Sequence, residues 1–176
     1  MDLFIQKMRL KKNRKALIIE EAWKAIASDL MADYIKYLYK TVRKFWGIVG
    51  VVTQEIDDII SSPIVKDAII NNSQITILLD QSKFKERYSR IAELLGLSEV
   101  ECNKIWTINS LDNRENRSYF KEVYIRRGSI GDVYGVEEPP ECYMAYTTER
   151  AEKDGLKHYI KKYGNIPVSY THLTLP

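Results

Sequence analysis

Residues 15–23 read KALIIEEAW, in which four consecutive apolar side chains, Ala16 to Ile19, are closed by the paired carboxylates Glu20 and Glu21. A short apolar run without alternation is the pattern of a strand sheltered on both faces, and such strands belong to parallel sheets flanked by helices. Two later runs share this character, residues 48–52 (IVGVV) and 75–79 (ITILL). Their spacing, roughly 30 residues, suits strand-helix-strand units, so the three runs predict an α/β fold with parallel strands and crossover helices. Between the first two runs, Trp23, Ile26, Leu30, Tyr34, Leu38 and Val42 recur at three- and four-residue intervals, which predicts one long amphipathic crossover helix. Its last turn carries Lys40, Arg43 and Lys44.

Farther along, residues 55–72 (EIDDIISSPIVKDAIINN) predict two helical pieces broken before Pro63, because the residue preceding proline is pushed out of the α region. Ser98 followed by Glu101 is a capping box that starts a helix over about 98–107, after Gly96 has closed the previous one. From Ser118 the pattern changes to alternation (SYFKEVYIRR), and GSIGDVYGV follows a glycine turn, predicting a peripheral antiparallel hairpin. A polar helix is expected over residues 148–163, ending at Gly164.

The composition is that of one soluble globular domain: 176 residues, 45% hydrophobic, with 27 Lys and Arg against 24 Asp and Glu. A chain of this size buries about 70% of its unfolded surface and needs no disulfide or metal to hold a core. Cys102 and Cys142 form no CxxC pair, which argues against zinc, predicts a buried thiol at each and points to a reducing, cytosolic compartment. No apolar run reaches the roughly 18 residues of a membrane helix, and the opening MDLFIQKMRLKK is unlike a signal peptide. The net charge of +3 is uneven, because six cations against Asp2 give residues 1–15 a charge of +5 and leave −2 for the remainder. That balance opposes broad nucleic-acid binding outside the first segment. Tyr34, Tyr37, Tyr39, Phe45 and Trp46 lie near Lys36, Lys40 and Lys44 and would suit stacking on single-stranded DNA, although helical spacing reads Tyr34 and Phe45 equally as core. His158, on the polar helix, reads as a surface residue.

Glu20 and Glu21 stand at the carboxyl end of a parallel strand, where such sheets bind ligands. In a P-loop nucleotidase an acid here holds Mg²⁺, usually through water, and a following Glu orients and deprotonates the attacking water. The plainer alternative is two acids favoured by a helix N-terminus. Thr53 and Gln54 close the second strand in the same way: Gln54 would reach a γ-phosphate or a water, or else open the next helix with Thr53 as its cap. Arg43 and Lys44 also suit the C-terminal dipole of the crossover helix. Together, the acid pair, arginine and glutamine follow in fixed order around one strand edge.

KALIIEEAWKAI, then YIKYLYKTVRKFWGIVGVVTQEIDDIISSPIVKDAIINNSQITILLDQ, then LLGLS, YFKEVYIRRG and AYTTERAEKDGLKHYIKKYG resemble the TraG family of conjugative-transposon ATPases over residues 1 to about 167. That family sits within the type IV secretion ATPases and, more remotely, beside the hexameric HerA and FtsK motors. The resemblance implies a RecA-like P-loop core that uses ATP and Mg²⁺. It implies work on conjugative DNA transfer at the cytoplasmic face of the inner membrane, with other subunits of its own oligomer and the secretion apparatus as partners. Carried over by position, IIEE is similar to a Walker B motif, with Glu20 at the magnesium-associated acid and Glu21 at the catalytic glutamate. The related motors usually have Asp-Glu, so Glu20 keeps the charge on an arm longer by one methylene. Arg43 resembles an arginine presented to a neighbouring subunit's nucleotide, and Gln54 resembles the strand-end sensor. No DNA-contacting residue is carried over.

The GxxxxGK[ST] loop is missing from the sequence: Gly128, Gly131 and Gly135 are wrongly spaced and lack the lysine. In the family this loop precedes the Walker B strand, so residues 1–167 read as the C-terminal part of the P-loop domain, with Met1 an internal methionine. Residues 168–176, VSYTHLTLP, look like a translated sequencing adapter. The competing reading is a non-catalytic α/β interaction module of a DNA-transfer or secretion complex, favoured by the missing loop and opposed by Glu21, Arg43 and Gln54.

Overall fold

The computed structural model of the chain describes residues 2–110 and 121–164. It falls into two compact units, one built from Met1–Thr76 and Glu86–Leu97, the other from Ile77–Lys85 and the chain from Ser98 onward. The first contains α1 (Asp2–Leu10), β1 (Lys15–Ile19), α2 (Ala22–Ile26), α3 (Asp29–Thr41), a 3-10 turn (Val42–Phe45), β2 (Gly47–Val51), α4 (Asp57–Ile60), α5 (Lys66–Asn72) and α6 (Tyr88–Leu95).

β1 and β2 pair in parallel, Lys15 opposite Gly47 through Ile19 opposite Val51. One face of the pair packs on helices. Leu17 and Val49 meet Met8, Leu38 and Val42, with Phe4, Ile5 and Phe45 beside them. Ile19 and Val51 meet a larger cluster in which Ala22, Ala32, Ile35 and Val65 are fully buried. The other face differs from expectation: Ile18, Ile48 and Val52 are more than half exposed, so burial alternates although hydrophobicity does not.

The single crossover helix expected from the apolar spacing is two helices. Ser28 takes an extended conformation between α2 and α3, which re-phases the second helix. The buried stripe therefore runs through Ile26, then Ala32, Ile35, Leu38 and Val42, while Trp23 and Leu30 are exposed. The break around Pro63 falls as expected, between α4 and α5.

β3 (Ile75–Leu78) does not join β1 and β2; the second sheet has the order β3-β4-β5. Nor is β3 sheltered on both faces, since Ile75 and Ile77 are more than half exposed; an apolar run does not name the strand it pairs with. In the second unit, β4 (Lys121–Arg127) and β5 (Ile130–Val136) form the expected antiparallel hairpin across Gly128, which takes a positive φ. α7 (Glu99–Trp106), α8 (Pro140–Tyr146) and α9 (Arg150–Tyr163) complete the described elements, and Gly164 ends α9 in the left-handed region. His158 is exposed on α9. Of the two free cysteines, Cys102 is half-buried but Cys142 is exposed, against the expectation of a buried thiol at each; it sits on a short helix and faces no core. The 168–176 segment lies outside the described residues.

The capping box holds as read: the Glu101 amide donates to Ser98 Oγ (3.3 Å) and the Ser98 amide donates to Glu101 Oε2 (2.8 Å). The other carboxylate oxygen accepts from the Tyr124 hydroxyl (2.8 Å) and pairs with Arg126 Nε (3.1 Å). Burial pushes this carboxyl up, but the Ser98 amide, Tyr124, the Ser98 hydroxyl and Arg126 together outweigh it and hold Glu101 below the usual range. A carboxyl lower in the folded than in the unfolded state adds stability above about pH 4.3, and that stability is lost as pH falls through the folded value. Glu101→Ala, which removes the ion pair with Arg126, the acceptor of the Tyr124 hydroxyl and half of the capping box, should cost roughly 2 kcal/mol in chemical denaturation at neutral pH, with the gap to wild type narrowing below about pH 4. A gap that stays constant with pH would remove the charge from the explanation.

Candidate functional site

Because β1 and β2 are parallel, both chains leave the sheet at one edge, and that edge collects Glu20, Glu21, Thr53 and Gln54. The Val52 amide donates to the Ile19 carbonyl (2.9 Å) and the Ala22 amide donates to the Val52 carbonyl (3.1 Å), so the pairing continues past the last strand residues. Between these bonds Glu21 turns the chain into α2 with φ 51 and ψ 45, the left-handed region. Such a conformation costs a residue with a Cβ roughly 1–2 kcal/mol. Strain of this kind clusters where a side chain must be aimed.

Gln54 Nε2 donates to Glu21 Oε1 at 3.3 Å, and Lys24 Nζ pairs with Glu21 Oε2 at 3.0 Å. Lys24, one turn on in α2, holds the Glu21 carboxyl below its ordinary value, first by its hydrogen bond and then by its charge, with Trp23 and Gln54 adding to the effect. Glu21 is thus an ionised acceptor at neutral pH. Lys24 was not singled out from the sequence, although its i,i+3 spacing from Glu21 was a signal for it. Glu20 is exposed beside it, and among the described residues no ion pair engages its carboxylate. Thr53 does not cap a helix amide; its hydroxyl lies 2.5 Å from Asp58 Oδ2 and 3.1 Å from the Glu55 carbonyl. A cleft of about 340 Å³ nearby is lined by Trp23, Asp29, Asp58 and Ser62 among others, without Glu20, Glu21 or Gln54.

Arg43 is elsewhere. It sits exposed in the 3-10 turn that precedes β2, hence at the amino edge of the sheet. Five residues of strand at about 3.3 Å each put roughly 16 Å between the two edges. The structure therefore brings Glu21 and Gln54 together, keeps Glu20 adjacent, and separates Arg43 from all three. Among the described residues no group of three or more His, Cys, Asp or Glu is arranged to hold a metal ion by itself.

The family model described as the TraG P-loop domain matches residues 1–174. This chain belongs to the TraG P-loop family. No curated protein matches it. Among solved structures, the TraG P-loop chain is similar to VirB4 of Thermoanaerobacter pseudethanolicus, with a TM-score of 0.55 and 21% identity over 78% of this chain and 34% of that one. At that identity the likeness shows the fold, a mixed α/β arrangement with parallel strands and covering helices. The TraG P-loop chain spans about a third of the VirB4 chain it matches. No helix among its described residues is long and apolar enough to cross a membrane.

Proposed function

We propose that this chain is the carboxyl-terminal part of an ATP-hydrolysing motor domain that energises conjugative DNA transfer through a type IV secretion apparatus. The observation that carries the reading is the contact between Glu21 and Gln54 at the carboxyl edge of a parallel pair, in a family defined by its P-loop. Glu21 accepts a hydrogen bond from the attacking water, orients it and takes its proton as the phosphoryl bond forms. Gln54 holds the second position, by hydrogen bonding Glu21 or the γ-phosphate oxygen. Mg²⁺, when bound, neutralises charge on the β- and γ-phosphate oxygens. The donor set fits an ion held mostly by phosphates and water, because it offers one unpaired carboxylate, Glu20, suited to a water-mediated contact. Arg43, too far from its own Glu21, serves the nucleotide of a neighbouring copy in an oligomer, a hexamer by analogy with the related motors. The assembly works in the cytoplasm, at the face of the inner membrane.

The phosphate-binding loop belongs N-terminal to Lys15. Calorimetry of the 176-residue chain with MgATP should show no micromolar binding, because the amide nest and lysine that neutralise phosphates are not in its sequence. The genomic frame upstream of Met1 should contain GxxxxGK[ST], and the extended protein should hydrolyse ATP. Micromolar binding by this chain would place a phosphate site within it. A stop codon and ribosome-binding site directly before Met1 would favour the interaction module, which the missing loop already supports.

A further inference from the structure

The amino edge of the β1–β2 pair carries a different chemistry. Two segments converge there, the end of α1 with residues 11–14 and the end of α3 with its 3-10 turn. Lys15 pins them. Its ammonium donates to the carbonyls of Met8 (3.1 Å) and Phe45 (2.9 Å), and its amide donates to the carbonyl of Trp46 (3.1 Å). Arg9 ties the same elements by donating to the Tyr37 hydroxyl (2.7 Å). Residues 3–19 and 34–48 hold ten Lys and Arg and no Asp or Glu. Of these, Lys11, Lys12, Arg14, Lys40 and Lys44 are exposed, and among the described residues no ion pair joins them to a carboxylate.

Within this field stands Trp46, 67% exposed, with φ 57 and ψ 33. A bulky side chain in the left-handed region is rare, and glycine would hold the same turn without strain. Its backbone is fixed on both sides: the amide donates to the Arg43 carbonyl (3.3 Å) and the carbonyl accepts from Lys15. The neighbouring Phe45 packs inward, whereas the indole is displayed. Of the aromatic residues near these cations, Tyr34, Tyr37, Tyr39 and Phe45 are half-buried. Only Trp46 among the five is exposed.

We infer that this edge binds single-stranded nucleic acid, its lysines and arginines tracking phosphates and Trp46 stacking on a base. A displayed ring in a cationic groove is the arrangement by which single strands are held without sequence preference. A duplex hides its base faces and offers the indole nothing. An anionic membrane fits less well, since α1 commits Phe4, Ile5 and Met8 to the core and leaves only Leu3 and Leu10 of its apolar residues exposed. The inference does not depend on ATP hydrolysis, and a binding assay without nucleotide fails or succeeds independently of it.

The test is fluorescence anisotropy of a labelled oligothymidylate with the 176-residue chain. Affinity should fall with salt, by a logarithmic slope of about −0.7 for each phosphate neutralised. Trp46→Gly keeps the left-handed turn and removes the ring; it should leave the thermal midpoint at or above wild type and weaken binding about 5- to 150-fold. Trp46→Phe should recover most of that loss. The pair Lys11→Gln, Lys12→Gln should make the salt slope shallower by about 1.4. Equal affinity of Trp46→Gly and wild type would overturn the inference. So would tighter binding to a duplex of the same length, or binding to phosphatidylglycerol vesicles with none to the oligonucleotide.

Discussion

In the protein that carries the complete nucleotide site, Glu21→Gln should reduce ATP hydrolysis about 10²–10⁴-fold, the usual effect of removing a general base. The substitution preserves shape, so nucleotide affinity should hold. Stability should barely move, because the Lys24 pair it breaks is exposed, with 64% and 45% of the two side chains open to solvent, and exposed pairs contribute little. Gln54 keeps a carbonyl oxygen to donate to, which separates the chemical loss from a positional one. The pH dependence gives a second reading of the same group. Lys24 holds the Glu21 carboxyl low, so the acid limb of the rate profile should fall below the ordinary carboxylate range, and Lys24→Ala should move that limb up. Steady-state hydrolysis across pH measures both. Retention of more than about a tenth of the rate would transfer the role to Glu20, the adjacent unpaired carboxylate.

How much of this was readable in advance depends on how local each feature is. The Ser98–Glu101 box, the break at Pro63, the hairpin across Gly128 and the stop at Gly164 each rest on a few adjacent residues, and each stands where local chemistry put it. The partner of β3 is a long-range matter that its apolar residues do not encode. The break at Ser28 is hidden because apolar residues continue at helical intervals on both sides of it. Trp46 and Gly47 show a subtler limit. A glycine after a helix suggests the left-handed residue, yet the structure gives that conformation to Trp46. At Gly47 it is space that is short: a Cβ there would collide with Val42 Cγ2, so glycine supplies room and its neighbour takes the strain. At the site, Glu20, Glu21 and Gln54 were readable from strand ends alone. Arg43 is the exception: reading it onto the same edge overlooked that a residue preceding a parallel strand and one following its neighbour stand at opposite edges.

That separation makes assembly a testable consequence of topology. Arg43→Ala in the complete protein should lower hydrolysis about 10³–10⁵-fold, the range measured for arginine fingers, if the guanidinium stabilises the transferring phosphoryl on a neighbouring copy. Its own Glu21 lies roughly 16 Å away along the strands, farther than an arginine reaches. The decisive measurement mixes the two inactive proteins, Arg43→Ala and Glu21→Gln. In a mixed ring some interfaces pair an intact Glu21 on one copy with an intact Arg43 on the next, and those interfaces should restore part of the activity, rising with the probability of such neighbours as the mixing ratio approaches equality. Exchange of subunits is checked separately, by co-purification of differently tagged copies. Mixed oligomers with activity at background would confine Arg43 to capping the C-terminus of its helix. Its exposed guanidinium would then belong with the other cations of the amino edge, and the oligomer would have to draw its transition-state charge from another residue.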